Sequence, residues 1–197
     1  MEYLYLYKKM MPLHSYVVLA SFALLFIAFT WQVLRVRRMA PGLMGTATIE
    51  RRYFYSAKTA LFITWGLFII KAISPRLGYI TVQAGLAWSA VALLLAGGLL
   101  YIVSLVQIGN SIAVGLPGKA TNLKTTGLYR FSRNPVYIGV YLISIGSCLY
   151  FPDLINISFT IYGILVHHRI ICQEERFLGE RFGGEWTRYA TQVRRYL

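Results

Sequence analysis

The sequence predicts an all-α polytopic membrane protein with five transmembrane helices, the last two a helical hairpin, plus a C-terminal amphipathic interfacial helix. Three observations carry this reading. Apolar residues make up 57% of the 197 positions and charged residues only 14%. The apolar residues fall into five long runs, and the basic residues gather in alternate segments between them. A soluble domain of this size does not use so much apolar surface, whereas a helix crossing a bilayer needs about 20 apolar residues.

The elements follow in order. Residues 1–12 place Tyr3, Tyr5 and Tyr7 ahead of Lys8 and Lys9, which suits an aromatic segment at the membrane interface. The first run, about Ser15 to Leu34, is too long for a signal-peptide core. Arg35, Arg37 and Arg38 follow it as a stop-transfer flank, so it is read as a retained span. The second is Ala60 to Ile70, reaching about Ser56 and Ser74 if Lys58 and Lys71 snorkel. The third, about Ile80 to Ile108, is long enough to tilt or to project beyond the bilayer. Val136 to Phe151 and Leu154 to Ile171 are separated only by Pro152-Asp153, which breaks a helix and favours a tight turn.

The tail from Gln173 to Leu197 spaces Leu178, Phe182, Trp186, Tyr189 and Val193 three and four apart, with Arg181, Arg188, Arg194 and Arg195 off that stripe. This predicts an amphipathic helix in the interface, broken at Gly183-Gly184, which can also fold over a cytoplasmic site as a lid. Residues 1–108 form a three-span part. Residues 109–197 hold the loop, the hairpin and the tail of the same integrated membrane domain.

Charge sets the orientation. With the N-terminus outside and the C-terminus cytoplasmic, only Lys8, Lys9, Lys71 and Arg76 lie outside, and the other sixteen basic residues lie inside. The net charge of +13 is then explained by orientation and by anionic lipid, with no nucleic acid partner. In a bacterial source the membrane is the plasma membrane. Cys148 and Cys172 sit at opposite ends of the last two spans, so no disulfide between them is expected.

Two polar islands remain, and this topology puts both on the cytoplasmic side. The loop 109–135 is rich in Gly, Thr, Asn and Pro, with Gly109, Gly115, Pro117 and Gly118 as breakers. It is either a simple connector or a loop that presents backbone groups to a ligand. Asn134-Pro135 suits a helix start, with Asn134 as N-cap and Pro135 in the first turn. Arg133 and Tyr137 flank that start, and a helix N-terminus beside an arginine suits a carboxylate or a phosphate.

Glu174 and Glu175 stand opposite. Adjacent helical residues diverge by about 100°. One carboxylate can therefore accept from a ribose or an ammonium while the other pairs with Arg133 or Arg169. The plainer alternative is a solvated helix end paired with arginines such as Arg176. His167-His168 also diverge and have no third ligand nearby, so an interfacial role is expected and no metal.

The chain contains no Gly-x-Gly and no Gly-x-Ser-x-Gly, and no acidic residue falls within the five spans. A Rossmann fingerprint, a P-loop, a nucleophile elbow and a membrane ion pathway are therefore not supported.

Leu-x-x-Thr-Gly-Leu-Tyr-Arg-x-Ser-Arg-Asn-Pro-x-Tyr-x-Gly, the Pro-Asp break, Glu174-Glu175 and Phe182-Gly183-x-Glu185-x-x-x-Tyr189 together resemble the isoprenylcysteine carboxyl methyltransferase family. That is a group of integral-membrane enzymes related to phospholipid methyltransferases. The match covers about residues 105–197. It implies S-adenosyl-L-methionine as cofactor, held by Leu123, Gly127, Leu128, Tyr129, Asn134, Pro135, Tyr137, Glu174 and Glu175. Many members have histidine where this chain has Asn134, so hydrogen bonding carries over there and a titrating role does not.

The implied reaction is direct methyl transfer to the carboxylate of a lipid-like or isoprenoid acceptor, with Arg133 and Arg169 positioning it. An ionised carboxylate needs no general base, and no committed base is evident in the sequence. The alternatives are a phospholipid amine, small amine or thiol acceptor, a non-enzymatic scaffold of the same fold, and a related reductase fold using a nicotinamide. Membrane lipids and a lipophilic acceptor are the expected partners.

Overall fold

A computed structural model describes residues 11–39, 47–75, 83–109 and 122–197, without the side chains of residues 36–39. Among these residues every regular element is helical. The order is α1 (Leu13–Met39), α2 (Arg51–Ile73), α3 (Ala84–Ile108), a 3-10 turn (Gly127–Arg130), α4 (Pro135–Tyr150), α5 (Leu154–Phe182) and α6 (Gly184–Gln192). All but the last two residues of the expected aromatic segment (residues 1–12), Arg76, and Gly115, Pro117, Gly118 and Lys119 lie outside the described residues.

Four helices, α1, α2, α3 and α5, are long and apolar enough to cross a membrane. The fourth expected span is shorter. Pro135 starts α4 and the Phe151-Pro152-Asp153 connection ends it, leaving 16 residues. At 1.5 Å per residue that is about 24 Å, less than the roughly 30 Å hydrocarbon core. Asp153 caps α5 by accepting from the Ile155 N–H (2.9 Å). α4 packs chiefly on α3, and α5 chiefly on α2.

α5 also runs on beyond the expected end at Ile171. It carries both glutamates as far as Phe182 and stops at Gly183, whose φ of +50° suits glycine.

Lys58 and Lys71 correct the snorkelling expectation. Lys71 is 2% exposed, with its Nζ 5.4 Å from the centre of the Phe151 ring. Lys58 is half-buried and turned toward the interior of the bundle, its Nζ 4.5 Å from the Phe54 ring centre. Both ammonium groups lie over aromatic rings, which offsets part of the cost of taking them out of water.

The core gathers Val18, Phe22 and Leu25 of α1, Phe68 of α2, Ala90, Val91 and Leu94 of α3, and Ile143 and Tyr150 of α4. Buried polar groups bind the helices across this core. Asn156 of α5 donates to the carbonyls of Ser147 (3.1 Å) and Phe151 (2.9 Å), while the Ser147 hydroxyl donates to the Thr64 carbonyl (2.8 Å). Without water to satisfy it, each of these groups would be costly if left unpaired.

α3 and α4 approach closest at Gly97 and Gly139. A Cβ on either would lie 2.7 Å from the other's carbonyl oxygen. Backbone cannot yield as a flexible side chain can. Gly97→Ala is therefore expected to destabilise the protein by about 1–3 kcal/mol. Gly85, on the same helix, has open space around its missing Cβ. Thermal unfolding in detergent should show a lowered Tm for Gly97→Ala and an unchanged or raised one for Gly85→Ala.

Candidate active site

One cavity of about 1000 Å³ runs through the bundle. Most of its wall is apolar, including Phe22, Phe26, Phe62, Trp65 and Ile69. Its other end is polar, and there Lys58, Asn134, Tyr137, His167 and Glu174 converge. α4 starts at this end, the C-terminal part of α5 crosses it, and Trp186 and Tyr189 of α6 close it.

The two glutamates have different surroundings. Glu175 is 8% exposed and heavily paired. Arg133 donates to it through Nε and Nη2 (3.1 Å each), Asn134 through Nδ2 (2.9 Å), and Arg195 through Nε (3.0 Å) and Nη2 (2.9 Å). This hydrogen bond to the carboxylate holds the Arg195 guanidinium above its ordinary pKa.

Glu174 is half-buried on the next face of the helix. The Tyr137 hydroxyl lies 3.1 Å from both of its oxygens and donates to them, and Lys58 faces its charge. Among the described residues no guanidinium binds it, so acceptor capacity remains on a carboxylate that lines a cavity.

Arg133 works as a clamp. Besides Glu175, its Nη1 donates to the carbonyls of Ala190 (2.8 Å) and Val193 (3.2 Å), and Trp186 lies 5.6 Å from its guanidinium carbon. The Arg133 N–H donates to the Arg194 carbonyl (2.9 Å) and the Ser132 hydroxyl to that of Arg195 (3.1 Å). The chain end is thus strapped over the polar pole. Tyr189, 7% exposed, donates to the Tyr129 carbonyl. Burial pushes the Tyr189 phenol up to about 12 and raises that of Tyr129, so both stay neutral near neutral pH.

The cavity brings together Leu123, Tyr129, Arg133, Asn134, Tyr137, Glu174 and Glu175. Gly127, Leu128, Pro135 and Arg169 are not part of its wall. Gly127 has a φ of +67°, and Gln107 occupies the space of its missing Cβ. The Leu128 N–H donates to Gln107 Oε1 (2.7 Å), which ties the turn to α3. Pro135 opens α4, but Asn134 does not cap it with its side chain, which is bound to Glu175 instead. Arg169 is exposed. Arg133 does line the cavity, but its Nε, Nη1 and Nη2 all donate within the protein.

Lys58 and His167 were missed as site residues. A lysine inside an apolar run was the available signal for the first. His167, expected at the interface, is instead buried at 4% exposure in the cavity wall. Among the described residues no three His, Cys, Asp or Glu side chains come together as a metal site would need.

Fold and cavity define, among the described residues, a helical integral-membrane protein with a cavity that is apolar along most of its wall and polar at one end. The phospholipid methyltransferase family model matches residues 86–185, just over half of the chain. The chain belongs to that family of integral-membrane methyltransferases, which includes the isoprenylcysteine carboxyl methyltransferases. No curated protein sequence matches it significantly.

Proposed function

We propose that this chain transfers a methyl group from S-adenosyl-L-methionine to the polar head of a lipid-like acceptor. The single observation that carries the reading is a cavity that is apolar along most of its wall and polar only where Tyr137 and Glu174 meet. Phe26 and Phe62 line the apolar part and are also 71% and 64% exposed, which suits a lipophilic acceptor entering from the surroundings of the bundle.

The residues of the polar pole suit the cofactor. Glu174 would accept from its hydroxyl or ammonium groups, Tyr137 holds that carboxylate in place, and Leu123 and Tyr129 would flank the adenosine. The cofactor supplies an electrophilic methyl group on a sulfonium. The protein then has only to hold donor and acceptor in line and exclude water. Orientation follows the basic residues, which favour a cytoplasmic polar pole and C-terminus.

Two acceptor classes are separated by what faces the pole. The carboxylate of an isoprenoid, implied by the sequence resemblance, needs a cation. Arg133 is bound to Glu175 and Arg169 is exposed outside the cavity, so among the described residues Lys58 and Lys124 of the cavity wall remain for that role. A phospholipid amine, which the family description supports, needs no cation.

The amine reading comes first. Purified protein supplied with methyl-labelled cofactor is expected to label phosphatidylethanolamine in preference to a prenyl-thioether acid. Labelling of the acid alone, lost in Lys58→Met or in Lys124→Met, establishes the carboxylate reading instead. Labelling of neither lipid class rejects a lipid-like acceptor.

A further inference from the structure

We propose that His167 is the proton acceptor of the reaction, its Nε2 taking a proton from the ammonium of the amine acceptor. The inference rests on the methyltransferase reading above, with its amine acceptor.

His167 is 4% exposed and lines the cavity. Its Nδ1 lies 2.8 Å from the Gly163 carbonyl oxygen one turn earlier on α5. A carbonyl only accepts, so Nδ1 carries the hydrogen. In the neutral ring the lone pair is therefore on Nε2. Nε2 has no hydrogen-bond partner among the described residues, and the ring packs 5.8 Å from that of Tyr137, whose hydroxyl holds Glu174. His167 and Glu174 are seven residues apart on one helix, about 10 Å along its axis and on nearly the same face. Both residues line the polar end of the cavity, with His167 about two turns nearer the middle of α5. The charged and titratable groups facing this imidazole are Lys58 from α2, Tyr137 from α4 and Glu174 from α5 itself.

The proton balance is simple. An ammonium has no lone pair and cannot accept a methyl group. When its N–H bond breaks, the proton bonds to Nε2 and the imidazole becomes imidazolium, while the electron pair stays on the acceptor nitrogen. That pair forms the new N–C bond as the sulfonium S–C bond breaks, with sulfur keeping the S–C pair. The imidazolium then returns its proton to water. General bases of this kind contribute about 10²–10⁴-fold.

His167→Asn keeps an N–H near the Nδ1 position and removes Nε2. His167→Gln does the reverse, and either variant guards against a folding failure in the other. With phosphatidylethanolamine in nanodiscs, His167→Asn is expected to lose about 100-fold in kcat at neutral pH. Part of that should return as the pH rises and the amine deprotonates unaided. The variant should still bind S-adenosylhomocysteine measurably, which separates loss of the proton acceptor from loss of the fold.

A readout independent of turnover is nitrogen NMR of labelled histidine in the wild type. It should show the neutral ring protonated at Nδ1, and protonation of Nε2 when the amine lipid binds. A neutral ring protonated at Nε2 would overturn the proposal. So would both variants keeping the wild-type rate and pH profile, or a pH limb that moves in Lys58→Met and in neither His167 variant. Methylation of the prenyl acid alone would also overturn it while leaving the methyltransferase reading intact. If the wild type does not bind S-adenosylhomocysteine at all, both readings fall.

Discussion

Glu175→Ala is expected to lower the stability of the protein by about 3–5 kcal/mol, because it removes one side of a buried charge pair. The Glu175 side chain is 9% exposed and that of Arg133 13%. Deleting the carboxylate leaves two guanidinium groups and the Asn134 amide, all of which donate to it, facing an empty space. Repulsion between Arg133 and Arg195 then adds to the desolvation of each.

At 2–4 °C per kcal/mol for a chain of this size, the Tm should fall by roughly 10 °C. The loss extends to the site, because Arg133 and Asn134 also hold the chain end at residues 190–195. Ligand affinity should therefore fall together with stability. Arg133→Ala should behave alike. The double variant should cost clearly less than the sum of the two, since neither charge is left buried alone. Additive losses would mean that the pair is not the unit described.

Glu174→Gln is expected to give the opposite pattern. The amide keeps an acceptor for the Tyr137 hydroxyl, and the Lys58 that loses its counter-charge lines the open cavity over the Phe54 ring, so the Tm should fall far less than with Glu175→Ala. What disappears is the anionic acceptor at the cavity wall. Hydrogen bonds to charged groups are worth about 1.5–3 kcal/mol, so affinity for S-adenosylhomocysteine should drop roughly 10- to 100-fold. The two adjacent glutamates thus separate into a structural and a ligand-binding residue. A large Tm loss with Glu174→Gln, or unchanged affinity, would contradict that division.

That division was only half legible in the sequence. Helical periodicity showed that two neighbouring carboxylates cannot serve one ligand alike, and charge counting placed Arg133 on their side. Which glutamate takes the arginine depends on the rotation of α5 against α4, a tertiary quantity. Arg195 was not expected in the cluster, because a stripe of spaced apolar residues describes a helix face, whereas Arg195 follows the last helical residue, Gln192.

The apolar runs of α1, α2, α3 and α5 were legible because hydropathy is local. α4 was legible too, falling within one residue of the expected Val136 to Phe151 at each end, because Pro135 and Pro152 bound its apolar run; its 16 residues fall short of a full span. Lys58 and Lys71 were read outward because an isolated helix offers a charge only the interface, while the folded bundle offers aromatic rings. His167 was expected at the interface because it lies near the inner end of an apolar run, whereas the packing of α5 turns it into the cavity wall. The bond from Nδ1 to Gly163, which leaves Nε2 free, follows from helical geometry once the ring is known to be buried.

The most direct test of the central claim is titration calorimetry of S-adenosylhomocysteine into the wild-type protein in nanodiscs, beside Glu174→Gln. The account predicts saturable 1:1 binding with a Kd in the micromolar range, roughly −7 to −8 kcal/mol, weakened at least tenfold in the variant. No binding heat from folded wild-type protein at millimolar ligand would contradict it.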